Sequence, residues 1–224
     1  MNQHSGIYRT MTEIAASEIR EAILNGAFQP GTRLIPSQLE KDLNLGKVAI
    51  REALRELAGS GLVVSVPNKG AMVAEAIPIE EIKEIFEIRY LLESKAAYLA
   101  TPNISEETIR LLESLHDKMQ GEEKVHKEYF FLNREFHMAI YQTSGWSYLC
   151  QIITQLIDQV QAFRNRYRFR MEDFHTFNLD HQKILDALRR REAEEVGQRI
   201  HANVRNGFDT LITVYRQQQK HLSM

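Results

Sequence analysis

The chain has 224 residues, with 28 Lys and Arg against 30 Asp and Glu and a formal net charge of −2, which excludes nucleic-acid binding driven by bulk positive charge. That length suits one large or two modest domains, each able to bury a core. No apolar run reaches membrane-spanning length, MNQHSGIYRT lacks a signal-peptide apolar region, and the single Cys150 excludes an internal disulfide, so a cytoplasmic protein with no membrane partner is expected.

Residues 1–76 read as one domain. Leu43 and Leu45 close a short helix and turn, and Ile50, Ala53, Leu54 and Leu57 then recur at helical spacing, giving one apolar face to dock on a core. Lys47, Arg51 and Arg55 lie four residues apart and stack along another face. Gly59 and Gly61 break the helix, LVVSV reads as a β-branched strand, PNKG as a turn and AMVAE as the return strand. The order helix, turn, helix, wing predicts a winged helix-turn-helix, whose basic helix enters a major groove while Asn68 and Lys69 at the hairpin tip touch phosphate or a minor groove. A solvated amphipathic helix is the plainer reading, because Glu52 and Glu56 interleave with the cations. Residues 1–76 hold eight Lys or Arg and eight Asp or Glu. One such domain should therefore bind double-stranded DNA weakly in salt, which favours a homodimer reading two half-sites.

From Ser17 to Ala74 the chain resembles the DNA-binding domain of the GntR family of bacterial transcription regulators. IREAILNGAFQPGTRL, REALRELAGSGLV and the wing VPNKGAMV carry the match. The resemblance implies that Arg33, Lys47, Arg51, Arg55, Asn68, Lys69 and Gly70 form the DNA-binding set. In the family a Ser-Arg-Thr-Pro-Val run usually precedes REAL. Here Gly46, Lys47, Val48, Ala49 and Ile50 stand there, so glycine replaces a capping serine and lysine a bidentate arginine. Pro36-Ser37 stands where relatives often carry Glu-Arg.

After the hinge Ala76-Ile77-Pro78, residues 77–224 read as an antiparallel all-α bundle of about six helices, which makes the whole chain mainly α. In IEEIKEIFEIRYLLESKAAYLA the apolar side is expected to be Ile82, Ile85, Ile88, Leu91 and Leu92. Ser105 is N-cap-like but lacks the Glu of a capping box. His116 and His126 lie on polar-looking faces and read as solvated, and Cys150 reads as a buried bystander. Asn133 and His137, four apart, share one helix face, His181 opens the apolar face of HQKILDAL, and His201 lies on the last long helix. Three imidazoles and an oxygen would suit a divalent transition metal such as zinc or nickel. On spacing alone, satisfied or exposed histidines are the stronger reading.

Residues 78–220 resemble the FCD ligand-sensing domain of the FadR-type GntR branch, with a helix count like its VanR subgroup. IRYLLESKAAYLA, LNREFHMAIYQTSGWSYL and DHQKILDAL carry the likeness. Many relatives bind a metal through an aspartate and three histidines, which the resemblance maps to Asn133, His137, His181 and His201, with an amide in place of the carboxylate. There the metal positions a small carboxylate effector. Arg89 is a candidate carboxylate clamp, or equally a salt-bridge partner of Glu93, and Arg164, Arg166 or Arg168 a second cation. HExxH and Gly-rich phosphate loops are absent, so a regulator, most simply a repressor, is favoured over a metal-dependent enzyme. A metal-free regulator with an apolar effector pocket also remains open.

Overall fold

The computed structural model describes residues 10–66, 70–75, 77–121 and 126–222. The chain is mainly α and divides into two compact units between residues 76 and 77. The first is a winged helix-turn-helix and the second a helical bundle.

In the first unit α1 (Met11–Leu24) begins at a capping box. The Thr10 hydroxyl accepts from the Glu13 N–H at 3.1 Å, and the Glu13 carboxylate accepts from the Thr10 N–H at 2.6 Å. This satisfies two of the N–H groups that a helix start leaves unpaired. Helix α2 (Pro36–Leu43) starts with proline, whose fixed φ suits a first turn. It ends at Asn44, in the left-handed region at φ 52° and ψ 42°, a conformation that asparagine tolerates and β-branched residues resist. That one residue makes the turn into α3 (Lys47–Gly59). Gly46 caps α3 from an extended conformation without a side-chain hydrogen bond, as its departure from serine implies. Ile50, Ala53, Leu54 and Leu57 are buried as their spacing predicts, and α3 packs on α1.

The wing pairs β2 (Val63–Val66) antiparallel with β3 (Gly70–Val73), from Val63 opposite Val73 to Val66 opposite Gly70. A third strand goes beyond the two-stranded expectation. β1 (Arg33–Leu34) pairs antiparallel with β3, giving the order β1-β3-β2.

The second unit contains, among the described residues, α4 (Ile79–Ala100), a 3-10 turn (Thr101–Asn103), α5 (Glu106–Gly121), α6 (His126–Gln142), α7 (Ser147–Arg164), α8 (Met171–Arg189) and α9 (Ala193–Leu222). Pro102 sits in the turn that ends α4. At the start of α5 the Ser105 hydroxyl accepts the Thr108 N–H at 3.0 Å, a cap without a box. Helices α4 and α9 pack along one another. They approach closely where a Cβ on Gly197 would stand 3.3 Å from the Ser94 carbonyl oxygen.

The buried face of α4 corrects the expected one. Ile82 and Ile85 are inside, but Ile88 is 47% and Leu91 70% exposed, while Phe86, Arg89, Tyr90 and Glu93 are buried. The stripe still steps by three and four residues, yet two of its positions, Arg89 and Glu93, are charged. Aromatic residues fill the centre: Tyr129 and Phe174 lie 4.6 Å apart by ring centroid, and Phe130 and Phe169 5.0 Å.

The left-handed turn at Asn44 gives a direct prediction. Asn44→Val should destabilise the first unit by about 1–2 kcal/mol, whereas Asn44→Gly should be near neutral. Urea unfolding of both variants checks this, and equal midpoints would contradict it.

Candidate functional site

The first site is the outer face of α3. Lys47, Arg51 and Arg55 are all exposed. Arg55 donates to Glu52 at 2.6 Å, and Arg20 on α1 takes up Glu56 at 3.1 Å. Among the described residues Lys47 and Arg51 form no ion pair, so the interleaved glutamates neutralise only part of the stripe. Val48, 76% exposed, stands beside them, giving an apolar contact next to two free cations, which suits a groove carrying phosphates and a thymine methyl. Arg33 is exposed on β1, and Gly70 opens β3 at φ 79°. Asn68 and Lys69 lie outside the described residues.

The second site is buried in the helical unit and grows from one carboxylate. Glu93 on α4 is fully buried and accepts from Arg89 Nε at 2.5 Å, one helical turn away. Its other oxygen accepts from the Tyr141 hydroxyl at 2.6 Å. Tyr141 has one proton and gives it to Glu93, so its oxygen must accept at its contact with His137 Nδ1, 3.0 Å away. His137 therefore carries its proton on Nδ1, which leaves Nε2 for Asn203, within hydrogen-bonding reach. Burial is the first cause that holds His137 neutral, with a pKa lowered to about 4. Burial, then the Glu93 charge, pushes Tyr141 well above its ordinary value, keeping it a donor.

Arg89, Asn133, His137, Arg164 and Asn203 line a narrow pocket together with Phe86 and Phe177. Its volume is about 20 Å³, room for one water-sized group. Arg164, the last residue of α7, lays its guanidinium over the Phe130 ring at 3.8 Å. Its Nε is buried without a hydrogen-bond partner. Burial, with the neighbouring Arg89 charge, lowers its pKa to about 9. Arg166 and Arg168 are exposed beyond the helix end.

Of the four expected metal positions, three come together. Asn133 and His137 face the pocket, and the His181 ring lies 5.4 Å from that of His137. His181 is fully buried with both ring nitrogens unpartnered, and burial holds its pKa well below the ordinary value. His201 is elsewhere, against Tyr90 at 5.1 Å in a surface groove with Leu91, Lys95 and Glu194. Two residues turn an α-helix by about 200°, so the side chain α9 sends into the pocket is Asn203. The buried residues Val196, Ile200, Val204 and Leu211 mark that inner stripe, and their spacing was the signal that separates 203 from 201. His116 also departs from expectation: it is buried, with Nε2 3.1 Å from the Asn178 carbonyl oxygen.

These residues do not fit a zinc or nickel site. The convergent set is two imidazoles and two neutral amides, with His137 Nδ1–H committed to Tyr141 and Nε2 facing Asn203. Among the described residues no three His, Cys, Asp or Glu side chains converge to hold a metal. The Arg164 guanidinium, which no carboxylate offsets among the described residues, lines the same space, and like charge disfavours a divalent cation there.

A winged DNA-reading unit joined to a helical unit with a polar pocket defines a one-component transcription regulator. Residues 11–73 match the family model for bacterial regulatory proteins of the gntR family, and residues 84–206 match the FCD domain. The chain belongs to the GntR family of DNA-binding regulators, in the FadR-type branch that carries the FCD domain. It is 32% identical over 149 residues to the HTH-type transcriptional regulator McbR of Escherichia coli K12, covering 66% of this chain and 67% of that protein. It is 26% identical to the gluconate operon transcriptional repressor of Bacillus licheniformis over 84% of this chain and 79% of that protein. The solved structure of E. coli McbR/YncC shares the fold, with TM-score 0.80, 24% identity, and coverage of 92% of this chain and 99% of that one. These relatives are regulators, and the chain is not an enzyme.

The buried histidines set a pH dependence. His137 is depressed from 6.5 to about 4, and His181 is lowered as well, so the unfolded chain binds more protons in that window. The stability that neutral burial leaves intact above about pH 6.5 is lost progressively as pH falls toward 4. Thermal melting across that range should show Tm falling steadily; a flat profile would contradict the buried neutral assignment.

Proposed function

We propose that the chain is a homodimeric, ligand-responsive repressor of the VanR-like subgroup, which binds an operator through α3 and the wing and a small organic acid in the helical unit. The observation that carries this reading is the division of cations between the two units. Lys47 and Arg51 stand exposed and unpaired on α3, where they meet DNA, while the half-buried Arg164 lines a narrow polar pocket in the helical unit, where it meets a small anion.

Six α-helices in the described part of the second unit support the subgroup, and relatives named as repressors support the direction of control. The charge balance of residues 1–76, eight against eight, supports dimerisation, because two half-sites double the phosphate contacts. The polar lining of the pocket favours an acid over an apolar effector. The acid acts by favouring one arrangement of the paired DNA-reading units over another. The absence, among the described residues, of any helix long and apolar enough to cross a membrane is consistent with a cytoplasmic site of action.

Fluorescence anisotropy with DNA from the gene's own upstream region, titrated with salt, tests the reading. Arg51→Ala should weaken specific binding by about 1–3 kcal/mol, with Lys47→Ala lowering the salt slope by about one if it meets phosphate. Arg55→Ala should cost less, because Glu52 already holds Arg55. Equal affinity of wild type and Arg51→Ala would remove α3 as the reading helix.

A further inference from the structure

We infer that Arg164 grips the effector's carboxylate directly, without a metal, with the amides of Asn133 and Asn203 completing the contact. This deepens the small-acid reading above and rests on it.

The argument starts from charge in a confined space. The helical unit holds two other buried or half-buried ion pairs, and each of the four groups has a partner: Arg89 meets Glu93 at 2.5 Å, and Arg134 on α6 meets Asp158 on α7 at 2.8 Å. Arg164 forms no ion pair or hydrogen bond among the described residues, and its buried Nε is unsatisfied. A buried donor left in this way is costly unless an acceptor meets it, and an anion is the acceptor that also matches the charge. With Arg89 and Glu93 cancelling and His137 neutral, the pocket carries the single positive charge of Arg164, still protonated at neutral pH with a pKa near about 9. A compact monoanionic group matches that charge.

The other lining groups match as well. Asn133 and Asn203 present amide N–H donors without adding charge, and an Asp at 133 would neutralise Arg164 instead. The guanidinium carbon lies 3.8 Å from the centre of the Phe130 ring, a contact that holds the cation beside the pocket, where its donor fork suits a carboxylate. A space of about 20 Å³ holds one water-sized group, so a carboxylate must widen it by moving the side chains that line it, which couples occupancy to the packing of the bundle. His137 is not available to a metal in this scheme, since its Nδ1 donates to Tyr141 and its Nε2 faces Asn203.

The test is calorimetric titration of full-length, tag-free protein stripped with EDTA, using sodium acetate, succinate, gluconate and inorganic phosphate, before and after adding zinc or nickel. At least one carboxylate is expected to bind the stripped protein, with no tightening on metal addition. Arg164→Gln should weaken that binding about tenfold or more. Asn133→Asp, nearly the same size and therefore tolerant of folding, should weaken it similarly by placing an anion beside Arg164. Carboxylate binding that appears only with metal, or that survives both substitutions, overturns the inference and leaves the small-acid reading standing. Binding of phosphate but no carboxylate overturns the carboxylate assignment. No binding of any probe, with or without metal, overturns the inference and the small-acid reading together.

Discussion

The helical unit depends on how one buried carboxylate is satisfied. Glu93 sits on the inner stripe of α4 with no solvent exposure, where an unpaired charge costs several kcal/mol. Arg89 and Tyr141 occupy its two oxygens, and the consequences run outward. Because Tyr141 must donate to Glu93, His137 must donate to Tyr141, and the imidazole is locked into one tautomer facing Asn203. Because Arg89 is taken by Glu93, it is not a free clamp, and Arg164 is left as the uncompensated cation of the pocket. A chain of forced hydrogen-bond directions thus decides which groups remain for a ligand.

The same logic separates the two halves of the molecule. On α3 the acidic residues remove some cations from play and leave others, Lys47 and Arg51, unpaired. In the pocket the acidic residue removes Arg89 and leaves Arg164. In both places some charge is left that structure does not neutralise, so a chain with net charge −2 carries a cationic surface on α3 and, on the reading proposed above, a cationic pocket for an acid.

Much of this was legible in the residues. The apolar spacing of α3, the glycine break at Gly59 and Gly61 and the β-branched wing strand fixed the winged unit, and long amphipathic segments fixed the bundle. What escaped had physical causes. β1 is two residues long, below any periodic pattern. The buried face of α4 includes Arg89 and Glu93, which hydropathy places outside, so the exposed Ile88 and Leu91 took their place in the expected stripe. His116 looks solvated beside Asp117 and Lys118, but Asn178 on α8, distant in sequence, supplies its partner. The resemblance maps the third histidine to His201, whereas the phase of α9 turns Asn203 inward, a consequence of the apolar spacing of Val196, Ile200, Val204 and Leu211.

The central claim is that an acid in the pocket and an operator on α3 act on one equilibrium. Linkage requires the coupling to be reciprocal. The direct measurement is the acid's affinity for the metal-stripped protein with and without saturating operator DNA, alongside the operator affinity with and without saturating acid. The account predicts that each ligand weakens the other by the same factor. Affinities that do not change in either direction would contradict it.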